Sequence, residues 1–216
     1  IHDISLDNLH AVFCVDRAGL VGADGQTHHG CFDPAFLSQV PGMTVLCPSS
    51  FSELKEMLHF ALFSVTGPVT IRYPRGAESV YKGCSLPVQF TPLREGSDFT
   101  VLTYGILVNE ALKAADILEK TGISVRVLKL NRIAPLSADE VSAMLKGTTR
   151  LLVLEDCLDA GCVGQRVAAL ALEAGVKLDK LILRNCGSTL PTEGSVEQLY
   201  SSRKLDGVGV AASIEE

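Results

Sequence analysis

The sequence contains no tryptophan and few aromatic residues of any kind, so its core has to be aliphatic. No apolar run approaches the ~18 residues that a membrane-spanning helix needs. No basic start leads into an apolar stretch and a small-residue cleavage site, so no signal peptide is visible. Positive charge is not in excess. The formal net charge of −6 argues against nucleic acid or an anionic membrane as the main partner. A CxxC pair is also absent. The seven cysteines (Cys14, Cys31, Cys47, Cys84, Cys157, Cys162 and Cys186) are odd in number, and several lie in apolar runs such as HAVFCVD. Buried, reduced thiols in a cytoplasmic protein are expected, rather than a disulfide framework or a zinc site.

The chain has 216 residues, enough for one large domain or two small ones with a real core. Short apolar, β-rich runs predict strands at 10–16, 44–47, 69–72, 100–104, 123–130, 150–155 and 180–184. Their near-continuous apolar character suits strands covered on both faces. Helical spacing fills the gaps. Phe51, Leu54, Leu58, Leu62 and Val65 share one face over 51–65. Val108, Ala111, Leu112, Ala115 and Leu118 do so over 106–120, and a small-residue helix is expected over 163–174. Three helix starts carry a capping-box pattern: Ser50 with Glu53, Ser137 with Glu140, and Ser195 with Gln198. This alternation predicts an α/β fold of two units, each with a mainly parallel sheet flanked by helices. The first unit spans about 1–80, a linker about 81–95, and the second unit about 96–216. The opening IHDISLDNL has helical spacing with no N-cap before it, as though the chain begins inside a helix.

The segment DRAGLVGADGQTHHGCFD, residues 16–33, follows a predicted strand and gathers four glycines, three aspartates, one arginine and two histidines. Ligands of open α/β sheets bind at the carboxyl ends of strands, and glycines let backbone approach them closely. Arg17 is placed either to fork onto a phosphate or carboxylate, or to pair with Asp16 or Asp24. Asp24 and His28 suit a proton-transfer pair, or else loop-stabilising hydrogen bonds. His29 reads as a supporting or solvent neighbour. Asp24, His28 and His29 make a poor metal site, because adjacent histidines in an extended stretch point oppositely. A second strand exit, VTIRYPRG, offers Arg72 and Arg75. Arg72 is expected to form a salt bridge within the fold. Arg75, beside a glycine, is expected to contact a ligand, so that two arginines from two strand ends clamp one phosphate. In the second unit, AGCVG after Glu155 and Asp156 opens a helix. Close packing is the preferred reading over anion binding, since the P-loop lysine and the dinucleotide spacing are missing. Cys157 and Cys162 lack a paired base.

Taken together, DRAGLVGADGQTHHGCFD, VPGMTVLCPSS and VTIRYPRG resemble the transketolase-like, thiamine-diphosphate-dependent family. The resemblance is strongest over 10–76 and looser over 96–216. It implies an α/β enzyme that joins pyruvate, after decarboxylation, to D-glyceraldehyde 3-phosphate, with thiamine diphosphate and Mg²⁺ as cofactors and a homodimer as the assembly. It implies that Arg17 and Arg75 hold the aldehyde's phosphate, and that Asp24 and His28 lie beside the reacting centre. It also implies that the residues binding the cofactor and its metal belong to parts upstream of Ile1, including a missing N-terminal domain. This chain alone is then expected to be inactive, with its 16–33 loop mobile for want of a packing partner. Transketolase itself, a 2-oxo acid dehydrogenase β subunit and a non-catalytic assembly module are the alternatives.

Overall fold

The computed structural model describes every residue except 84–88, so Cys84 and part of the expected linker lie outside the described residues. Two sheets organise the rest. The first contains β1 (Val12–Val15), β2 (Thr44–Leu46), β3 (Val69–Arg72) and β7 (Arg132–Ala134), in the order β1-β3-β2-β7. The second contains β4 (Phe90–Arg94), β5 (Phe99–Tyr104), β6 (Val125–Leu130), β8 (Arg150–Leu154) and β9 (Lys180–Arg184), in the order β4-β6-β5-β8-β9. All pairings are parallel except those of β7 with β2 and β4 with β6. The helices are α1 (His2–Leu6), α2 (Asp33–Leu37), α3 (Phe51–Phe63), α4 (Val108–Glu119), α5 (Ala138–Met144), α6 (Val163–Glu173), α7 (Val196–Ser202) and α8 (Gly207–Glu215). The expected α/β fold with mainly parallel sheets is what forms.

Both antiparallel strands were missed by pattern, for physical reasons. β4 falls inside the stretch expected to be linker. It carries Pro92 and a register shift between Pro92 and Arg94. A proline without an N–H is tolerated on an edge strand or at a bulge, which is where this one sits. β7 is three residues long and follows β6 after Asn131 alone. At Asn131 the chain passes from the second sheet into the first: the Cys47 N–H donates to the Asn131 carbonyl at 2.9 Å, and the Asn131 N–H donates to the Gln89 carbonyl at 3.0 Å. The first sheet is therefore completed by a strand from the second half of the sequence.

Burial follows the sheets. β3, β5 and nearly all of β8 are buried along their length, as continuous apolar runs require. β1 departs from that expectation. It is an edge strand with Phe13 and Cys14 exposed, so Cys14 is not a buried thiol, unlike Cys31, Cys47, Cys157, Cys162 and Cys186. One core lies between the second sheet and α4 with α8. Another joins α2 and β2 to the opposite face of that sheet, and a smaller one lies under α3. On α3 the buried residues are Glu53, Met57 and Ala61, while Phe51 and Leu62 are exposed. The expected face was rotated because Glu53, a charged residue, occupies a core position. Its carboxylate accepts a bond from Lys129 Nζ at 2.9 Å, and both side chains are fully buried.

Candidate functional site

β1 and β3 run parallel, with Val15 beside Arg72, so the segments leaving both strands emerge at one edge of the sheet. Arg17 leaves β1 and Arg75 leaves β3. Their guanidinium groups converge on one carboxylate. Arg17 Nε donates to Asp24 Oδ2 at 2.9 Å, and Arg75 Nη1 pairs with Asp24 Oδ1. Arg17 Nη1 also pairs with Asp16. Asp24 is mostly covered, whereas Arg17 and Arg75 keep 38% and 53% of their side chains exposed, so a solute can reach both cations. The structure thus brings Arg17, Arg75 and Asp24 together. Of the alternatives for Arg17, both ion pairs are present.

Among the described residues no hydrogen bond joins Asp24 to His28. The loop turns through two short 3₁₀ segments, Gly22–Asp24 and Gln26–His28, separated by Gly25 at φ 79° and ψ 179°. That backbone region is open essentially to glycine alone. Past this corner His28 is exposed, and its Nδ1 lies 3.0 Å from Thr27 Oγ1. The oxygens of Asp24 are already engaged by arginine. His29 goes the other way. It is buried, its Nδ1 accepts the Val21 N–H at 3.2 Å, and its Nε2 lies 3.3 Å from the Thr192 carbonyl.

The loop is also anchored rather than loose. Gly19 and Gly30 exchange N–H···O bonds of 2.9 and 2.8 Å that close its base. Gly19 sits so near the second unit that a Cβ there would lie 2.1 Å from Asp156 Oδ2. Leu20 and Cys31 belong to the same core as Cys186, Leu199 and Tyr200. The expectation of a mobile loop assumed few buried contacts. The second unit supplies them.

Arg72 forms the expected internal salt bridge and more. Fully buried, it donates from Nε to Asp33 Oδ2 at 2.5 Å, and from Nη2 to Asp156 Oδ1 at 2.8 Å and to the Gly30 carbonyl at 3.0 Å. Burial raises the Asp33 carboxyl above its ordinary range despite the opposing pull of Arg72. Sequence reasoning missed Asp33 and Asp156 as partners. The signal was an arginine ending the apolar run VTIR, which required a buried anion somewhere.

The glycine-rich start of α6 packs closely, as expected, since a Cβ at Gly164 would stand 2.7 Å from Leu183 Cδ2, and its N–H groups also hold a carboxyl group of the chain itself. Glu155 Oε2 and Oε1 accept the Val163 and Gly164 N–H groups, each at 2.8 Å, and the Tyr104 hydroxyl donates to Oε2 at 3.0 Å. Burial raises the Glu155 carboxyl, and these bonds only partly offset it. A carboxyl with a raised folded-state pKa binds more protons folded than unfolded, so its contribution to stability falls as pH rises through that window. Urea unfolding across pH 4–8 should therefore show the wild type losing stability relative to Glu155→Gln as pH rises. A difference that grows in the opposite direction would refute the assignment.

These details bear on cofactors. Among the described residues no group of three or more His, Cys, Asp or Glu side chains is placed to hold a metal ion. The helix start whose N–H groups suit a diphosphate is filled by Glu155. The cavity flanking Arg75, lined by residues such as Ser50, Tyr73, Pro74 and Gly76, encloses about 60 Å³, well below the ~300 Å³ at which ligand pockets begin. Neither of these two places has room for thiamine diphosphate. Nor is there a thiolate nucleophile among the buried cysteines: burial pushes Cys31 to about 11 and Cys162 to about 12.

Comparison with known proteins places the chain in a family. The transketolase pyrimidine-binding domain matches residues 1–79, and the transketolase C-terminal domain matches residues 89–210. The 1-deoxy-D-xylulose-5-phosphate synthase of Chlorobium luteolum is 38% identical over 100% of this chain and 35% of its own length. That of Chlorobium phaeovibrioides is 40% identical over 99% of this chain and 34% of its own. The chain therefore spans about a third of the length of these relatives. Among solved structures, a split-gene transketolase described as an inactive β4 tetramer superposes with a TM-score of 0.79 at 24% identity, covering 94% of this chain and 64% of that one. A Pichia stipitis transketolase variant superposes at 0.75 and 17% identity, covering 98% and 30%. The chain belongs to the transketolase family of thiamine-diphosphate-dependent transferases, whose pyrimidine-binding and C-terminal domain models it matches in succession.

Proposed function

We propose that this chain forms the phosphate-binding rim of the acceptor-substrate site in an enzyme of the 1-deoxy-D-xylulose-5-phosphate synthase type. In this reading the whole enzyme joins pyruvate, with loss of CO₂, to D-glyceraldehyde 3-phosphate, and works as a cytoplasmic homodimer. Thiamine diphosphate and Mg²⁺, held by residues outside this chain, supply the carbanion chemistry. The observation that carries the reading is the convergence of Arg17 and Arg75 on the two oxygens of Asp24. A phosphate offers the same fork-matching oxygens with more charge, so it is the ion that would replace Asp24. Once displaced, the Asp24 carboxylate and the exposed His28 imidazole are the groups proposed to accept and return protons near the reacting carbon. With the cofactor held by residues outside it, the chain alone is proposed to be inactive.

Titration with inorganic phosphate and with D-glyceraldehyde 3-phosphate tests the clamp. Arg17→Ala and Arg75→Ala are each expected to weaken binding about 10- to 100-fold, the size of one charge-assisted contact. Asp24→Asn is expected to strengthen it by removing the resident competitor. Binding indifferent to both arginines sinks the clamp. Turnover by this chain given cofactor, Mg²⁺ and both substrates sinks the claim of inactivity.

A further inference from the structure

The anion loop touches the second unit at points that have no part in holding phosphate. We propose that His29 is a positioning residue: it latches the loop to the 189–194 segment of the second unit, and through that latch the second unit sets where Asp24 and the two guanidinium groups stand. The functional half of this proposal rests on the clamp reading, while the latch itself does not.

The geometry fixes the direction of each bond. Val21 N–H donates to His29 Nδ1 at 3.2 Å, so that nitrogen carries no proton. The neutral ring then carries its proton on Nε2, which faces the Thr192 carbonyl at 3.3 Å. One ring thus joins two backbone segments 163 positions apart from His29 to Thr192, in a single tautomer. The surroundings leave little slack. His29 is 7% exposed. Beyond Val21, Gly22 lies against the second unit so closely that a Cβ there would stand 3.1 Å from both the Gly194 carbonyl oxygen and the Val196 nitrogen.

Val21 is also the residue from which the Gly22–Asp24 turn departs, and the Asp24 N–H donates back to the Val21 carbonyl at 3.3 Å. A shift of Val21 therefore carries Asp24 with it, and with Asp24 the two arginines bound to its oxygens. The other end of the loop is held independently, at Gly30, by Arg72 and Asp156. His29 is thus a polar tie between the middle of the loop and the second unit. Among the described residues it forms no hydrogen bond with Arg17 or Arg75, so its effect on phosphate has to be indirect.

Three substitutions take the two bonds apart. Asn at 29 places an acceptor near the Nδ1 position and keeps the Val21 bond but falls short of Thr192. Gln places its amide nitrogen near the Nε2 position and keeps the Thr192 bond. Leu keeps neither. Hydrogen–deuterium exchange of the whole chain reads the latch, and titration with inorganic phosphate reads its consequence. His29→Leu and His29→Asn are expected to raise exchange in residues 20–30 and 189–194 together by about tenfold, the size of one buried hydrogen bond. His29→Gln, which keeps the Thr192 bond and loses the Val21 bond, is expected to leave 189–194 within about twofold of wild type while exchange in residues 20–24 rises about tenfold. Phosphate affinity should drop several-fold in both His29→Asn and His29→Gln, since each breaks one half of the tie between Thr192 and Val21. Should His29→Leu fail to fold, the Asn and Gln pair still decides. The latch is overturned if His29→Asn leaves 189–194 unchanged, or if His29→Gln raises exchange in 189–194 as His29→Asn does. If wild-type phosphate binding ignores Arg17 and Arg75, the clamp reading fails, while the exchange pattern still settles the latch.

Discussion

Arg72→Ala is expected to destabilise the fold by about 3–5 kcal/mol, the range seen when one partner is removed from a buried charge network. The arginine lies between two buried carboxylates, Asp33 and Asp156, which come from opposite halves of the sequence. It also stands 5.6 Å from the centre of the Tyr104 ring. Without it, two like charges face each other out of water, and the Gly30 carbonyl loses its donor. Lysine is not expected to rescue the variant, since one ammonium cannot reproduce a planar fork that serves three acceptors. The loss has a pH signature. Asp33 is already raised by burial, and removing the neighbouring cation raises it further. The folded variant then binds more protons than the unfolded chain over that window, so its stability falls as pH rises through it. Urea unfolding of wild type and variant at pH 5 and pH 7 should show the smaller deficit at pH 5. A deficit below about 1 kcal/mol at pH 7 would place Arg72 outside the ~3–5 kcal/mol class of buried networks.

What was legible in the sequence was local. VTIR, TVLTY and RLLVL announced buried parallel strands because such strands are apolar without alternation. The capping boxes at Ser137 with Glu140 and Ser195 with Gln198 form in full, since each needs only its own four residues. At Ser50 half of the pattern forms. The Ser50 hydroxyl accepts the Glu53 N–H, but the Glu53 carboxylate turns away to the Ser49 N–H and to Lys129. That turn was unreadable, because the partner that draws it lies 76 positions further on, inside an apolar strand. The same limit governs the site. Arg17 and Arg75 were findable because both follow strands and so share a sheet edge. Asp24 was findable as a partner of Arg17 but not as the partner of Arg75 as well, because Asp24 and His28 look paired by spacing until Gly25 turns the chain between them. His29 looked peripheral because Thr192, the carbonyl that gives it a purpose, belongs to the other unit.

The pair formed by Glu53 and Lys129 raises the question of whether such partners stabilise the fold or merely orient it. Lys129→Met is expected to cost about 3–5 kcal/mol, because it leaves a fully buried carboxylate without its cation. Two neutral donors, the Ser49 N–H at 2.7 Å and the Tyr81 hydroxyl at 3.0 Å, remain on the Glu53 oxygens and do not neutralise the charge. The informative variant is the double one, Glu53→Met with Lys129→Met. Replacing a whole buried ion pair by apolar side chains of similar volume is often neutral or stabilising, so the double variant should recover most of what the single one loses. The recovery should be incomplete, since the Ser49 N–H and the Asn131 carboxamide, which also meets Lys129 Nζ, lose an acceptor and a donor respectively. Urea unfolding of the cycle is expected to give a coupling at or above the ~3 kcal/mol upper end for contacting residues, because the double variant regains most of the ~3–5 kcal/mol that each single substitution loses. A strongly coupled double variant that keeps wild-type stability would mean that the pair sets how β6 meets α3 without adding to stability. A double variant as weak as Lys129→Met would mean instead that the charge itself holds the two sheets together at Asn131, where the chain crosses between them.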